Sequence, residues 1–243
     1  MTALITDAIA LSSVAAAGGV AGYAVRGRSS TILAPSVYRG DRSKAALALT
    51  FDDGPSESTP ALLAVLDKNK VRATFFMCGR NVRRLPAIAR EVRSAGHEIG
   101  NHTDTHPHLF FKSPEFIYRE LIGAQETIRA TTGVTPRFFR APYGARWMGL
   151  RGAQDRLRLM GVMWTVIGND WKWGSGQIVG RLSKGASNGG VLCMHDGRVT
   201  QVAPDVRATI EAVESALPLL IVRGFQFQTI SEMFGSPSRW PAQ

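Results

Sequence analysis

Short apolar runs alternate with longer segments of helical periodicity from residue 45 onward. Seven runs are predicted as strands: Ala46–Phe51, Ala73–Cys78, Glu98–Gly100, Phe138–Arg140, Gly161–Ile167, Gly190–Met194 and Gln226–Thr229. Segments with helical spacing are predicted as helices: Pro60–Asn69, Leu85–Ala95, Pro114–Thr132, Gln177–Ala186 and Pro204–Val222. This alternation is typical of β/α units around a parallel sheet. The pattern therefore predicts one α/β domain.

Helix boundaries are predicted where a capping residue stands beside the periodic segment. Thr59 and Ser113 each precede a proline, which is the usual order of an N-cap and a first helical residue. Gly133 follows the predicted helix Pro114–Thr132 and is expected as its C-cap.

The first 44 residues differ from the rest of the chain. Ala8–Val25 is an uncharged, weakly apolar stretch of 18 residues, which is at the lower limit for crossing a bilayer. Arg26 and Arg28 follow it and only Asp7 precedes it closely, so a membrane anchor would leave the main domain on the cytoplasmic side. Ala15–Ala17 could instead be a signal-peptide cleavage site, and a soluble or peripheral helix is the third alternative.

The chain is accordingly divided into four segments. They are a hydrophobic N-terminal segment (1–26), a linker rich in Ser, Arg and Gly (27–44), the main domain (45–235) and a tail (236–243). Membrane association or a cell-envelope location is the expectation from the first segment.

Composition limits the partners. The 243 residues are 44% hydrophobic, which is ample for a sizeable core, and the net charge of +10 favours anionic surfaces. Six arginines lie between positions 137 and 158, where a solvated basic face is the simplest interpretation: Arg137, Arg140, Arg146, Arg151, Arg156 and Arg158. Because no nucleic-acid-binding motif accompanies them, nucleic acid is not expected as a partner.

The two cysteines, Cys78 and Cys193, each stand inside an apolar run. Small buried hydrophobic residues are usual in such runs, so both are interpreted as core positions. They are too few for a disulfide scaffold, and a single disulfide between them is conceivable only in an exported protein.

Unusual polar residues follow the predicted strands. They are Asp52 and Asp53, His102 and His106, Arg140 and Tyr143, Asp170 and Trp171, and His195 and Asp196. In parallel α/β folds the carboxyl ends of the strands share one edge, and sites are built there. We therefore expect these side chains to form one site.

The segment NHTDTH places His102 and His106 four residues apart. On a helix or compact turn both imidazoles can face one point, and one carboxylate of the Asp52–Asp53 pair could complete a three-ligand metal site. Three protein ligands leave positions open for water and substrate, as in catalytic sites. The second carboxylate could then take a proton from water activated by the cation. A turn or helix cap is the alternative explanation of the acid pair.

Five segments in order, TFDDGPS, NHTDTH, FRAPYGAR, NDW and LCMHDG, resemble the motifs of the polysaccharide deacetylases, also called the NodB-homology domain or carbohydrate esterase family 4. The resemblance spans residues 45 to 234. It implies a distorted (β/α) barrel of about seven parallel strands.

The resemblance also implies a role for each matching residue. Asp53, His102 and His106 would bind a divalent metal ion, zinc by default, although cobalt or nickel would suit the ligands. Asp52 would be the general base, and Arg140 would orient it and hold it ionised. His195 would be the general acid, supported by Asp170. Tyr143 would offer its backbone N–H to the oxyanion, Trp171 would line the pocket, and Leu192 matches the leucine of the last motif.

The implied activity is removal of N-acetyl groups from N-acetylglucosamine-containing glycans of the chitooligosaccharide or peptidoglycan type. A lipid-linked amino sugar or a small non-sugar amide is the alternative substrate, and a non-catalytic glycan-binding protein is the alternative class. Trp164, Trp173 and His108 lie near the motifs and could form a sugar-stacking platform, although core packing is favoured for Trp164. Oligomeric state is left open.

Overall fold

The computed structural model describes residues 18–235. The first of these, residues 18–26, are helical (α1). The predictions for residues 1–17 and for the tail lie outside the described residues. Within residues 18–235, no helix combines the length and apolar character needed to span a membrane.

Within residues 18–235, nine strands form one sheet, and every pairing between them is parallel. The strands are β1 (Ser36–Val37), β2 (Ala46–Gly54), β3 (Thr74–Met77), β4 (Glu98–Asn101), β5 (Phe138–Phe139), β6 (Met160–Val162), β7 (Val166–Ile167), β8 (Gly190–His195) and β9 (Gln226–Gln228). Their order is β1-β6-β5-β4-β3-β2-β8-β7, with β9 beside the first half of β2. The predicted α/β class with parallel strands is confirmed.

The sheet curls into an incomplete barrel. β6 and β7 lie towards opposite ends of the strand order, yet only residues 163–165 separate them in the chain. The predicted strand Gly161–Ile167 is therefore two strands, because the chain leaves one end of the sheet and joins the other. A bridge between Arg39 and Gly190 brings the region of β1 close to β8.

The predicted linker differs from the observed structure. Ser36 and Val37 pair with β6 as a strand, and Ala34 is buried in the core. The sequence of this segment is too short and mixed in polarity to show a strand, since its pairing partner lies more than a hundred residues away.

In the part of the chain that the structure describes, eight helices follow α1. They are α2 (Thr59–Lys68), α3 (Gly79–Arg84), α4 (Pro86–Ser94), α5 (Pro114–Thr132), α6 (Leu150–Leu157), α7 (Ser175–Gly185), α8 (Arg207–Val222) and α9 (Ile230–Phe234), with a 3₁₀ turn at Pro142–Gly144. Ser113 caps α5 by accepting a hydrogen bond from Phe116 N, and Gly133 ends it at φ 74°, as predicted. Thr59 is instead the first residue of α2, Ser58 is the N-cap, and the Thr59 hydroxyl donates to Asp196 Oδ2.

Side chains alternate between the two faces of the sheet. One set, including Leu47, Leu49, Phe51 and Leu192, packs under the helices, and a smaller set inside the barrel includes Ala48, Phe76 and Val191. Towards the carboxyl ends of the strands, the side chains that face the barrel interior include four polar ones: Thr50, Asp52, Arg140 and His195. The alternation therefore aims polar side chains at one mouth of the barrel.

Candidate active site

A cleft of about 460 Å³ opens at the carboxyl ends of the strands. Its lining includes seven residues predicted for the site, namely Asp52, Asp53, His102, His106, Tyr143, Trp171 and His195, together with Arg26, Ala141, Gly144, Trp164, Ile167, Arg198 and Val199. Arg140 and Asp170 lie directly behind this lining, through contacts to Asp52 and His195.

The two adjacent acids both reach the cleft because β2 is irregular at its end. A regular strand would point Asp52 and Asp53 to opposite faces. Here the register with β3 shifts between Asp52 and Gly54, and Asp53 takes the left-handed backbone conformation, with φ 72°. The bulge turns the second carboxylate back to the side of the first.

Asp53 meets the two histidines of the NHTDTH segment. Its Oδ1 lies 3.3 Å from His102 Nε2 and 3.0 Å from His106 Nε2. Thr103 and His106 adopt positive φ angles of 66° and 58°, which fold the loop so that both imidazoles converge. His102 Nδ1 donates to the carbonyl oxygen of Arg140 at 2.7 Å, so its Nε2 presents a lone pair towards Asp53.

This cluster suits a divalent cation. Asp53, His102 and His106 are all buried, and Asp53 Oδ1 has no hydrogen-bond donor among the described residues. Burial by itself raises the pKa of Asp53, but the adjacent imidazoles outweigh it and hold the pKa well below its usual range. A buried carboxylate with an unpaired oxygen and two convergent imidazole nitrogens is the donor set of an open zinc-type site.

Arg140 holds Asp52 from inside the barrel. Its side chain is fully buried, and Nη1 donates to Asp52 Oδ1 at 2.7 Å and to Thr50 Oγ1 at 2.7 Å. Nε donates to Val162 O at 3.1 Å, and the guanidinium lies 4.2 Å from the centre of the Phe76 ring. Because these contacts come from three strands, β2, β3 and β6, Arg140 fixes the position of Asp52 relative to the barrel.

His195 is the partner of Asp52 in the parallel pairing of β2 and β8, and Asp170 holds its side chain. His195 Nδ1 is 2.8 Å from Asp170 Oδ1, and the His195 backbone N–H donates to Asp170 Oδ2 at 2.9 Å. Thr209 Oγ1 also donates to Oδ2, at 2.7 Å. Burial lowers the pKa of His195, but the hydrogen bond and charge of Asp170 overcome this and raise it to about 9. The imidazole is therefore protonated at neutral pH and can donate a proton from Nε2.

Three further predicted residues have different surroundings. Tyr143 is exposed at the cleft with φ 58°, and its ring stacks on His108 with centroids 3.8 Å apart. Trp171 is also exposed and stands edge-on to His195. Leu192 does not reach the cleft: it is fully buried under the helices, because its position on β8 alternates with those that face the barrel interior.

The predicted stacking platform is not assembled as a unit. Trp164 lines the cleft and also packs against the barrel core, whereas Trp173 packs under the helices beside Arg181. His108 contacts Tyr143 but is not among the lining residues.

Several important positions were missed or misread from the sequence. Arg140 and Arg146 are buried, so two of the six clustered arginines do not belong to a solvated face. The thiol of Cys193 donates a hydrogen bond to Asp52 Oδ2 at 3.4 Å, a contact that the sequence did not indicate. Both cysteines are free and buried, as expected of core positions. Arg26 carries no sequence signal for the site because it belongs to the segment predicted as membrane-associated.

Asp196 is a second buried acid behind the site. Burial, which is the main cause, raises its pKa to about 7, and Oδ1 has no hydrogen-bond partner among residues 18–235. Its Oδ2 accepts from Thr59 Oγ1 at 2.6 Å. This pair ties the start of α2 to the strand end that carries His195.

Comparisons with known proteins agree with this geometry. The family model described as polysaccharide deacetylase matches residues 39–161. A peptidoglycan-N-acetylglucosamine deacetylase of Listeria monocytogenes is 32% identical over 85% of this chain, which spans only 42% of that relative. A chitooligosaccharide deacetylase of Bradyrhizobium is 34% identical over 76% of this chain and 89% of the relative.

A solved structure shows the same fold. The crystal structure of the Bc1960 peptidoglycan N-acetylglucosamine deacetylase superposes with a TM-score of 0.77 at 32% identity, covering 82% of this chain and 92% of that one. The order of strands, the acid pair at the end of β2 and the two histidines after β4 are thus accompanied by similarity over most of the chain. The chain belongs to the polysaccharide deacetylase family.

Proposed function

We propose that the protein is a metal-dependent hydrolase that removes N-acetyl groups from N-acetylglucosamine-containing glycans. The observation that carries this proposal is the placement of Asp52 and His195 in one cleft, with the Asp53–His102–His106 cluster lining it as well. The names of the relatives in Listeria and Bradyrhizobium support peptidoglycan or chitooligosaccharide as the substrate class.

Amide hydrolysis requires an activated water, stabilisation of the developing oxyanion and a proton for the leaving nitrogen. Asp53, His102 and His106 would hold the cation, which when bound supplies Lewis-acid polarisation and lowers the pKa of water. Asp52 would accept the proton of the attacking water, since Arg140 occupies its Oδ1 and keeps the carboxylate in place.

His195 would deliver the proton to the departing nitrogen. Asp170 accepts a hydrogen bond from His195 Nδ1, so the other ring nitrogen, Nε2, is the atom that donates the proton. Tyr143 would donate its backbone N–H to the carbonyl oxygen, and the exposed ring of Trp171 would exclude water on the His195 side.

The test is acetate release from N-acetylglucosamine oligomers and from peptidoglycan fragments by the full-length chain supplied with zinc, cobalt or nickel. Asp53→Ala should abolish both metal binding and acetate release. Asp155→Ala, an exposed acid on α6, serves as the matched control and should leave both unchanged. Metal-loaded protein that releases acetate from neither glycan would contradict the proposal.

A further inference from the structure

The C-terminal end of α1 and the residues that follow it are attached to the rim of the cleft. Arg146, which is 2% exposed, donates from its backbone N–H to Val25 O at 3.0 Å. Its guanidinium donates to Ser30 O at 2.9 Å and also to Gly27 O. A buried arginine with three carbonyl acceptors on residues 25–30 holds this segment in one position.

Arg28 makes a second attachment. Arg28 donates to the carbonyl oxygen of Thr165, the residue after the cleft-lining Trp164. The Arg146 contacts lie two residues beyond Gly144, which also lines the cleft. The backbone is therefore held on both sides of Arg26, at Val25 and at Gly27, and the side chain of Arg26 forms part of the cleft lining.

Within residues 18–235, the charge of Arg26 has no counterion. Its side chain is exposed and makes no hydrogen bond or ion pair with any residue in the range 18–235. The other cationic groups of the lining differ, since His195 is paired with Asp170 and Arg198 donates to Asp170 O at 2.8 Å. Among the described lining residues, Arg26 is thus the cation that remains available to a ligand.

We propose that Arg26 is a specificity-determining residue that binds an anionic group on the glycan, so that the substrate is an acidic glycan and not a neutral one. This inference rests on the proposed function of the same cleft. The shared chemistry is a compact group of anionic oxygens, which a guanidinium binds in bidentate geometry. A concave site with low-dielectric walls strengthens that attraction relative to an open surface.

Two sources of anionic oxygen are distinguished by the test. A carboxylate occurs on the muramic acid and peptide parts of peptidoglycan, and a phosphate occurs on phosphorylated or lipid-linked sugars. The probes are neutral N-acetylglucosamine oligomers, soluble peptidoglycan fragments with free carboxylates, and N-acetylglucosamine oligomers carrying a phosphate monoester.

The experiment measures kcat and KM for each probe with the wild-type chain, Arg26→Gln, Arg26→Lys and the control Arg90→Gln. Arg90 is an exposed arginine on α4 outside the cleft lining. For an acidic probe, Arg26→Gln should raise KM about fivefold without changing kcat, as expected for a partly exposed charge pair outside the reacting atoms. Arg26→Lys should recover part of the loss, and the effect should shrink at high salt.

Equilibrium binding of the same probes separates this inference from the proposed function. If no probe is hydrolysed but an acidic probe binds less tightly to Arg26→Gln than to wild type, the deacetylase assignment fails and the anion-binding role stands. If Arg26→Gln and wild type show the same preference for acidic over neutral probes, both in binding and in turnover, the role of Arg26 is refuted. Whichever acidic probe responds identifies the anion as carboxylate or phosphate.

Discussion

Replacing Asp170 by Asn should shift the alkaline limit of activity to a lower pH. The pKa of His195 is raised to about 9 from its ordinary 6.5, chiefly through the hydrogen bond and charge of Asp170 working against burial. A difference of about 2.5 pKa units corresponds to about 3 kcal/mol favouring the imidazolium. Asn keeps a similar shape but removes the charge that supplies most of this energy.

The magnitude follows from the protonated fraction of His195. At about pH 7.5, a histidine with a pKa of about 9 is almost fully protonated, whereas one with a pKa of about 6.5 is protonated in roughly a tenth of molecules. Burial lowers the pKa of His195 once Asp170 is gone, whereas the charges of Asp53 and Asp52 still raise it. We therefore expect Asp170→Asn to lose about tenfold in kcat/KM at this pH and to regain much of it under acidic conditions.

The assay is the pH dependence of kcat/KM for acetate release, with metal content measured on each preparation. The control is Thr209→Val, which removes a hydrogen bond to Asp170 Oδ2 but keeps the carboxylate charge, so its alkaline limb should stay close to that of wild type. An alkaline limb in Asp170→Asn that coincides with wild type, at equal metal content, would refute the assignment of His195 as the acid held by Asp170.

The same pair makes a stability prediction with a defined sign. The folded-state pKa of His195 is raised, so its contribution to the free energy of unfolding is fully present below about pH 6.5 and is lost as the pH rises through about 9. The difference in unfolding free energy between wild type and Asp170→Asn, measured by urea denaturation, should therefore shrink over that interval. A difference that is constant from acidic to alkaline pH would show that it arises from packing alone.

Three further predictions concern residues around the acid pair. Asp52→Asn should abolish acetate release while metal binding persists; loss of metal by this variant would show that the roles of Asp52 and Asp53 are exchanged. Arg140→Met should lower the free energy of unfolding by about 3–5 kcal/mol because it leaves Asp52 buried without its cation, whereas the exposed Arg90→Met should change it little. Gly54→Ala should destabilise the fold by about 1–3 kcal/mol, since a Cβ there would overlap the Asp196 carboxylate, and unchanged urea denaturation would contradict this close packing.

Much of the barrel is readable from the chain because its strands and helices are locally patterned. The run Ala46–Phe51 and the periodic segment Pro114–Thr132 each have the composition of the element that they form, and Ser113 and Gly133 mark the ends of α5 by local hydrogen bonding and backbone freedom. The pair Ser36–Val37 has no such pattern. It becomes a strand only because β6 offers an edge to it.

The candidate site also has features that the local sequence predicts and features that depend on tertiary contacts. The residue types and their position after successive strands predict that acids, histidines and an arginine meet at one edge, since parallel strands place their carboxyl ends together. The left-handed conformation that turns Asp53 beside Asp52, and the buried path of Arg140 through the barrel, depend on neighbouring strands that the local sequence does not reveal. Leu192 is the opposite case: its place in a motif predicts a site residue, but the structure buries it in the core.

The sequence by itself determined the α/β class, the order of the elements and the chemical groups available to the site, because periodicity and side-chain type are local properties of the chain. The tertiary structure alone decided which charges are buried, which are paired and which remain free. Arg146 is buried because residues 25–30 pack over it, and Arg26 faces the cleft because of the same packing. Burial and electrostatic pairing depend on segments distant in the chain, so only the folded molecule specifies them.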